Sequence, residues 1–204
     1  DTKEIISPAE NKIHFGRHEW SPDGKSIYYG GRDDENEMYQ IISRELETGN
    51  EKVLYQAKDH LHLSLSEDGQ YLAIISRYPE PHLSVMPITG GKPHELFRFS
   101  KDDFISLGVS GSCTWSIDGQ YILFALRDAN VEDAVWELCR IKSGGGEIEK
   151  LGLKLEYGGF INLSLHPDGQ QILFSSKSQH IPPALWVMEN FLPGVMIGNK
   201  GNTD

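Results

Sequence analysis

Trp20-Ser21-Pro22-Asp23-Gly24-Lys25 decides the reading of this chain, because the sequence writes the stretch four times. It returns as Leu65-Ser66-Glu67-Asp68-Gly69-Gln70, as Trp115-Ser116-Ile117-Asp118-Gly119-Gln120 and as Leu165-His166-Pro167-Asp168-Gly169-Gln170. The four glycines stand 45, 50 and 50 residues apart. A fixed period of this size marks a repeat architecture. Locally the stretch is a tight turn: proline pre-sets φ at the second position, aspartate caps the turn through its carboxylate, and glycine accepts a positive φ. A side chain at a left-handed glycine would cost about 1–2 kcal/mol.

Each turn is followed by a continuous apolar run: Ile27 to Tyr29, Tyr71 to Ile75, Tyr121 to Leu126 and Ile172 to Phe174. Such runs, bounded by turn signals, fit strands buried on both faces. The first repeat reads as strands His18 to Ser21, Ser26 to Gly30, Met38 to Arg44 and Glu51 to Tyr55. The second gives Leu61 to Ser66, Tyr71 to Ser76, Leu83 to Ile88 and His94 to Phe99. The third gives Gly111 to Ser116, Tyr121 to Leu126, Val135 to Ile141 and Glu147 to Leu151; the fourth gives Ile161 to Leu165, Ile172 to Ser175 and Leu185 to Met188. No segment shows a convincing 3.6-residue period, and Asn130 to Trp136 is too short to matter as a helix. The chain is all-β. Four strands per 45–50 residues, repeated, is the arithmetic of a β-propeller of four-stranded antiparallel blades.

The Trp-Ser-Pro-Asp-Gly-Lys stretch, the apolar strand behind it, the Arg32-Asp33 loop and the Gly90-Gly91 hairpin resemble the propeller repeats of the TolB-like, WD-repeat-like family. The resemblance covers about residues 17–192, departing at Glu67 and Ile117, which replace the turn proline. It implies one propeller domain over residues 1–204, with blades near 17–56, 61–100, 111–152 and 161–197. Residues 2–6, Thr-Lys-Glu-Ile-Ile, read as a strand, and residues 7–16 as an irregular connector. That first strand either closes the fourth blade into a four-bladed ring or completes a blade of a larger propeller. A periplasmic or extracellular setting is what the resemblance implies.

Composition narrows the partners. Nineteen basic residues against 30 acidic ones give a formal net charge of −11, which argues against nucleic acid and anionic membrane surfaces. No apolar run approaches the length needed to insert into a bilayer. Cys113 and Cys139 fall in one repeat, on its first and third strands. Two inter-strand spacings separate them, too far for a disulfide, so both read as unpaired, buried thiols.

Function is expected on the face opposite the Asp-Gly turns, where the longer loops lie, since variable loops on a rigid scaffold carry binding. Arg32, Arg77, Arg127 and Lys177 each follow their turn glycine by eight residues. Equivalent positions in a propeller ring the axis, so these four form a candidate collar for a partner's carboxylates. The competing reading is local pairing with Asp33, Asp34 or Asp128. The expected function is a non-catalytic scaffold that binds another protein through this face, with no cofactor. The alternative is the propeller part of an enzyme: a prolyl-oligopeptidase-like hydrolase, or a metal-dependent lyase or binding protein for acidic oligosaccharides. His60, His62 and His180 are the ligands the lyase reading would use, although no recognised ligand spacing is present. The acidic run Asp33 to Glu37 lacks the glycine and bidentate end of a calcium loop. Gly108-Val109-Ser110-Gly111-Ser112 misses the nucleophile elbow at its last position. Trp20, Trp115, Trp136 and Trp186 are expected in the core between blades.

Overall fold

The structure, a computed structural model, describes residues 12–13, 18–58, 60–76, 80–99, 113–127, 135–155, 161–176 and 184–189. Every regular element among them is a strand. Blade one holds β1 (Lys12–Ile13), β2 (Glu19–Trp20), β3 (Ser26–Asp33), β4 (Met38–Glu45) and β5 (Glu51–Ala57). Blade two holds β6 (Leu61–Leu65), β7 (Tyr71–Ser76), β8 (His82–Pro87) and β9 (His94–Arg98). Blade three holds β10 (Cys113–Trp115), β11 (Tyr121–Leu126), β12 (Trp136–Lys142) and β13 (Glu149–Leu155); blade four shows β14 (Ile161–Leu165), β15 (Gln171–Ser176) and β16 (Ala184–Glu189). In blades two to four the strands pair antiparallel in chain order, as do β3, β4 and β5 of blade one, where β1 and β2 both pair with β3. The all-β propeller reading therefore holds, repeat for blade.

One element differs from expectation. Lys12–Ile13, inside the stretch read as an irregular connector, is a strand paired to Arg32 and Gly31. The cause is that β3 runs to Asp33, beyond the expected end at Gly30. Its extra backbone groups need partners, and β1 meets them on the edge that β2 occupies lower down. Residues 2–6 lie outside the described residues.

The second strand of every blade is the core strand. Residues that face each other across an antiparallel ladder share a side, and neighbours alternate. Tyr28 of β3 packs in one cluster with Leu72 and Ile74 of β7. Ala73 and Ile75, on the other side of β7, join Ile122 and Phe124 of β11, and Leu123 and Ala125 join Ile172 and Phe174 of β15. Blades two and three thus bury one side against the preceding blade and one against the following blade. That explains runs apolar on both faces rather than alternating. Burying each such side chain stabilises the fold by about 1.5–3 kcal/mol. One polar bond crosses this core: Trp115 Nε1–H donates to the Ser64 carbonyl at 2.9 Å, tying β10 to β6.

Cys113 and Cys139 sit opposite Phe124 from either side of β11, one strand apart. Both are buried and neither forms a disulfide, and burial pushes the Cys139 thiol up to about 12. Trp115 and Trp136 are core residues as expected, but Trp20 and Trp186 are 60% and 51% exposed. Both lie on terminal blades. Trp20 shares a side with Ile27, the side of blade one that meets no preceding blade among the described residues. Trp186 stands on β16, the last described strand of its sheet.

Candidate functional site

Antiparallel order puts the Asp-Gly turns and the third-to-fourth strand hairpins at one end of every blade. The links from second to third strand and from blade to blade lie at the other. The turn end is chemically closed. In blade one the Ser21 hydroxyl donates to Asp23 Oδ1 at 2.6 Å and accepts the Ser26 N–H at 2.8 Å. Asp23 Oδ1 also accepts the Lys25 N–H at 3.0 Å. Ser66 with Asp68 and Ser116 with Asp118 repeat this arrangement. Blade four substitutes His166, whose Nδ1 accepts the Asp168 N–H at 3.2 Å. Gly24, Gly69, Gly119 and Gly169 all take a positive φ, between 67 and 73°. In all four turns the serine or histidine side chain and the aspartate carboxylate are engaged within the turn itself, which makes the repeated stretch an architectural element.

These turns carry a pH signature. The serine hydroxyl, then the backbone N–H, holds Asp23, Asp68 and Asp118 below the usual carboxylate range. For Asp168 the Gln170 N–H leads, with His166 behind it. A lowered folded pKa stabilises at and above the unfolded value, near 3.9, and the contribution disappears as pH falls through the folded value. The unfolding midpoint is therefore expected to drop between about pH 5 and pH 3. Asp68→Asn should flatten that limb, and thermal melts across the range check it.

The described residues at the long-loop end belong mainly to blades one and three. At blade one, Arg32 and Tyr39 stand opposite each other at the ends of β3 and β4. Arg32 Nε reaches Asp34 Oδ1 at 2.9 Å, and its guanidinium lies 5.4 Å from the centroid of the Tyr39 ring. Tyr39 in turn meets His60, at the entry to β6, with ring centroids 4.3 Å apart and the Tyr39 hydroxyl 3.2 Å from His60 Nε2. An arginine, a tyrosine and a histidine are thus stacked across the junction of blades one and two. Asp33 is spent within its own loop, its carboxylate accepting from the Glu35 and Asn36 N–H groups and from the Asn36 amide.

At blade three Arg127 follows β11 at the position equivalent to Arg32. It is half-buried, and its Nε is buried with no hydrogen-bond partner. Arg32 therefore shows the local acid pairing weighed against a collar; Arg127 shows none among the described residues, and Asp128 lies outside them. Arg77 and Lys177 lie outside the described residues, as does His180. His60 is engaged with Tyr39, and His62 stands within β6 opposite Ile75. Among the described residues no group of three or more His, Cys, Asp or Glu is placed to hold a metal. No described helix is long and apolar enough to cross a membrane. Counting from the turn glycine singles out Arg32 and Arg127 but not Tyr39, whose contact with Arg32 depends on β4 being the register partner of β3.

No family model matches the chain, and no curated protein matches it. Solved structures do. TolB from Acinetobacter baumannii is 18% identical with a TM-score of 0.68, the match covering 91% of this chain and 43% of that one. A TolB-like protein from Agrobacterium tumefaciens is 16% identical with a TM-score of 0.65, covering 88% and 65%. The β-propeller domain of the Trilobed protease from Pyrococcus furiosus is 20% identical with a TM-score of 0.58, covering 85% and 54%. The chain spans less than two thirds of the length of each. Four blades of antiparallel strands in chain order, built on the Asp-Gly turn and matching these structures over most of its length, give this chain the fold of a TolB-like β-propeller.

Proposed function

We propose that this chain is a non-catalytic propeller scaffold that binds another protein through its long-loop face. The observation that carries the reading is the buried Nε of Arg127 without an acceptor, at the position where Arg32 has one. A buried donor left unpaired costs about 1–3 kcal/mol, which a partner's carboxylate would remove by a charge-assisted bond. Arg32 and Tyr39 add two residue types enriched at interface hot spots, with His60 packed against the Tyr39 ring. Arg77 and Lys177 complete the proposed collar by their place in the repeat. The likeness to a protease's propeller domain supports a second reading, in which the same face meets a catalytic domain rather than a separate protein.

The test is capture by immobilised chain, comparing wild type with a variant carrying Arg32, Arg77, Arg127 and Lys177 all changed to Glu. Lys25→Glu, at the opposite end, serves as control. A partner lost by at least about tenfold in the first variant and kept in the second is expected if the collar carries two or more charge-assisted bonds. Equal capture by both would overturn the collar while leaving the fold intact.

A further inference from the structure

A second site lies away from the collar, at the outer rim of the junction between blades one and two. It is an open cleft of about 800 Å³ lined by Tyr55, His82, Ser84, Lys92, His94 and Glu95, with Pro93 at the hairpin. That volume falls in the range of small-molecule sites, roughly 300–1,000 Å³. One lining residue sets blade two apart from the other blades. Phe174, Phe124, Ile74 and Tyr29 each stand five residues after their turn glycine, and their partners on the third strand are Trp186, Cys139, Ser84 and Ile42. Blade two alone has a hydroxyl there. Ser84 is 2% exposed, and its Oγ has no hydrogen-bond partner. A core position has therefore been given a polar atom and no acceptor or donor to match it. A satisfied or apolar side chain would be more stable there.

The surrounding charges point to the sign of a ligand. Arg98 engages both carboxylate oxygens of Glu95, so its charge is already matched. Lys92, on the β8–β9 hairpin, makes no ion pair among the described residues. His82 Nδ1 donates to the Glu80 carbonyl at 2.7 Å, which orients its Nε2 as the free ring atom. Tyr55, on β5, and Pro93 supply apolar wall. We infer that the cleft binds a small organic acid: an oxyanion, carboxylate or phosphate monoester, carried on an apolar body. Lys92 neutralises the anion, and a rotation of Ser84 about χ1 between staggered wells brings its hydroxyl to donate to it. The apolar body lies along Tyr55 and Pro93. Lys92, with no ion pair among the described residues, and the buried, unpartnered Ser84 hydroxyl thus line one cleft.

The probes are benzoate, phenyl phosphate and neutral benzyl alcohol, titrated into the whole chain and followed by amide chemical shifts. Both acids, or one of them, are expected to give saturable shifts confined to β5, β8 and the β8–β9 hairpin in the millimolar range or tighter. The tighter acid identifies carboxylate or phosphate as the group recognised. Ser84→Ala should weaken binding by at least about tenfold while leaving or raising the melting temperature, because it removes an unmatched buried hydroxyl. Lys92→Met, on the exposed hairpin, should weaken it similarly without touching the core. Absence of saturable shifts with either acid overturns the site. Benzyl alcohol binding as tightly as the acids, or undiminished affinity in both variants, overturns the anion assignment.

Discussion

Trp115→Ala is expected to lower the unfolding free energy by about 3–5 kcal/mol through lost packing, with about 1–3 kcal/mol more from a Ser64 carbonyl left buried without its donor. Net stability of a domain is about 5–15 kcal/mol, so this one change should bring the chain near its folding threshold. Trp115 is 5% exposed, on β10 of blade three, with its indole bonded to blade two. Trp115→Phe separates the two effects, since it keeps most of the packing and loses only the bond. Its expected cost is about 1–3 kcal/mol. Trp20→Ala, at the equivalent turn of blade one but largely exposed, should change stability by no more than about 0.5 kcal/mol. Urea unfolding of the three variants decides. A Trp115→Ala cost no larger than that of Trp20→Ala would mean that blades two and three do not meet as described.

The second large effect distinguishes glycines that look alike in sequence. Gly69 and Gly119 hold the same place in the turn and nearly the same φ, 67 and 68°. A Cβ on Gly119 would meet nothing within 4 Å, but on Gly69 it would lie 2.5 Å from the ring carbons of Pro22 in the neighbouring blade. Gly119→Ala should cost about 1–2 kcal/mol for the left-handed backbone alone. Gly69→Ala should add about 1–3 kcal/mol for overpacking against a stiff ring. In the Pro22→Ala background that extra cost should largely vanish, because the opposing atoms are gone. A double-mutant cycle reads the coupling directly; additivity within about 0.5 kcal/mol would show that the two turns are not in contact.

Much of the fold was legible because the repeat writes it. Turn, apolar run and hairpin recur at fixed offsets, so strands such as Tyr71–Ser76 and Ile161–Leu165 were bounded correctly from local chemistry. What sequence could not show was contact between repeats. Trp20 and Trp115 occupy the same place in the motif, yet one is exposed and the other buried, because burial depends on whether a neighbouring blade covers that side. Lys12–Ile13 escaped notice for a related reason: two residues carry no periodicity, and only the length of β3 creates a need for them. The candidate sites divide the same way. Arg32 and Arg127 follow from counting residues after each glycine. Ser84, a plain serine in an apolar strand, becomes informative only when its register partner and its missing hydrogen bond are known.

Successive repeats are blades packed face to face, and Trp115 reports on that packing most directly. Hydrogen exchange of the four indole N–H groups, resolved by heteronuclear NMR, is the measurement. The Trp115 indole should exchange orders of magnitude more slowly than those of Trp20 and Trp186, approaching the rate of global opening. A Trp115 indole that exchanges as fast as these two exposed ones would contradict the account.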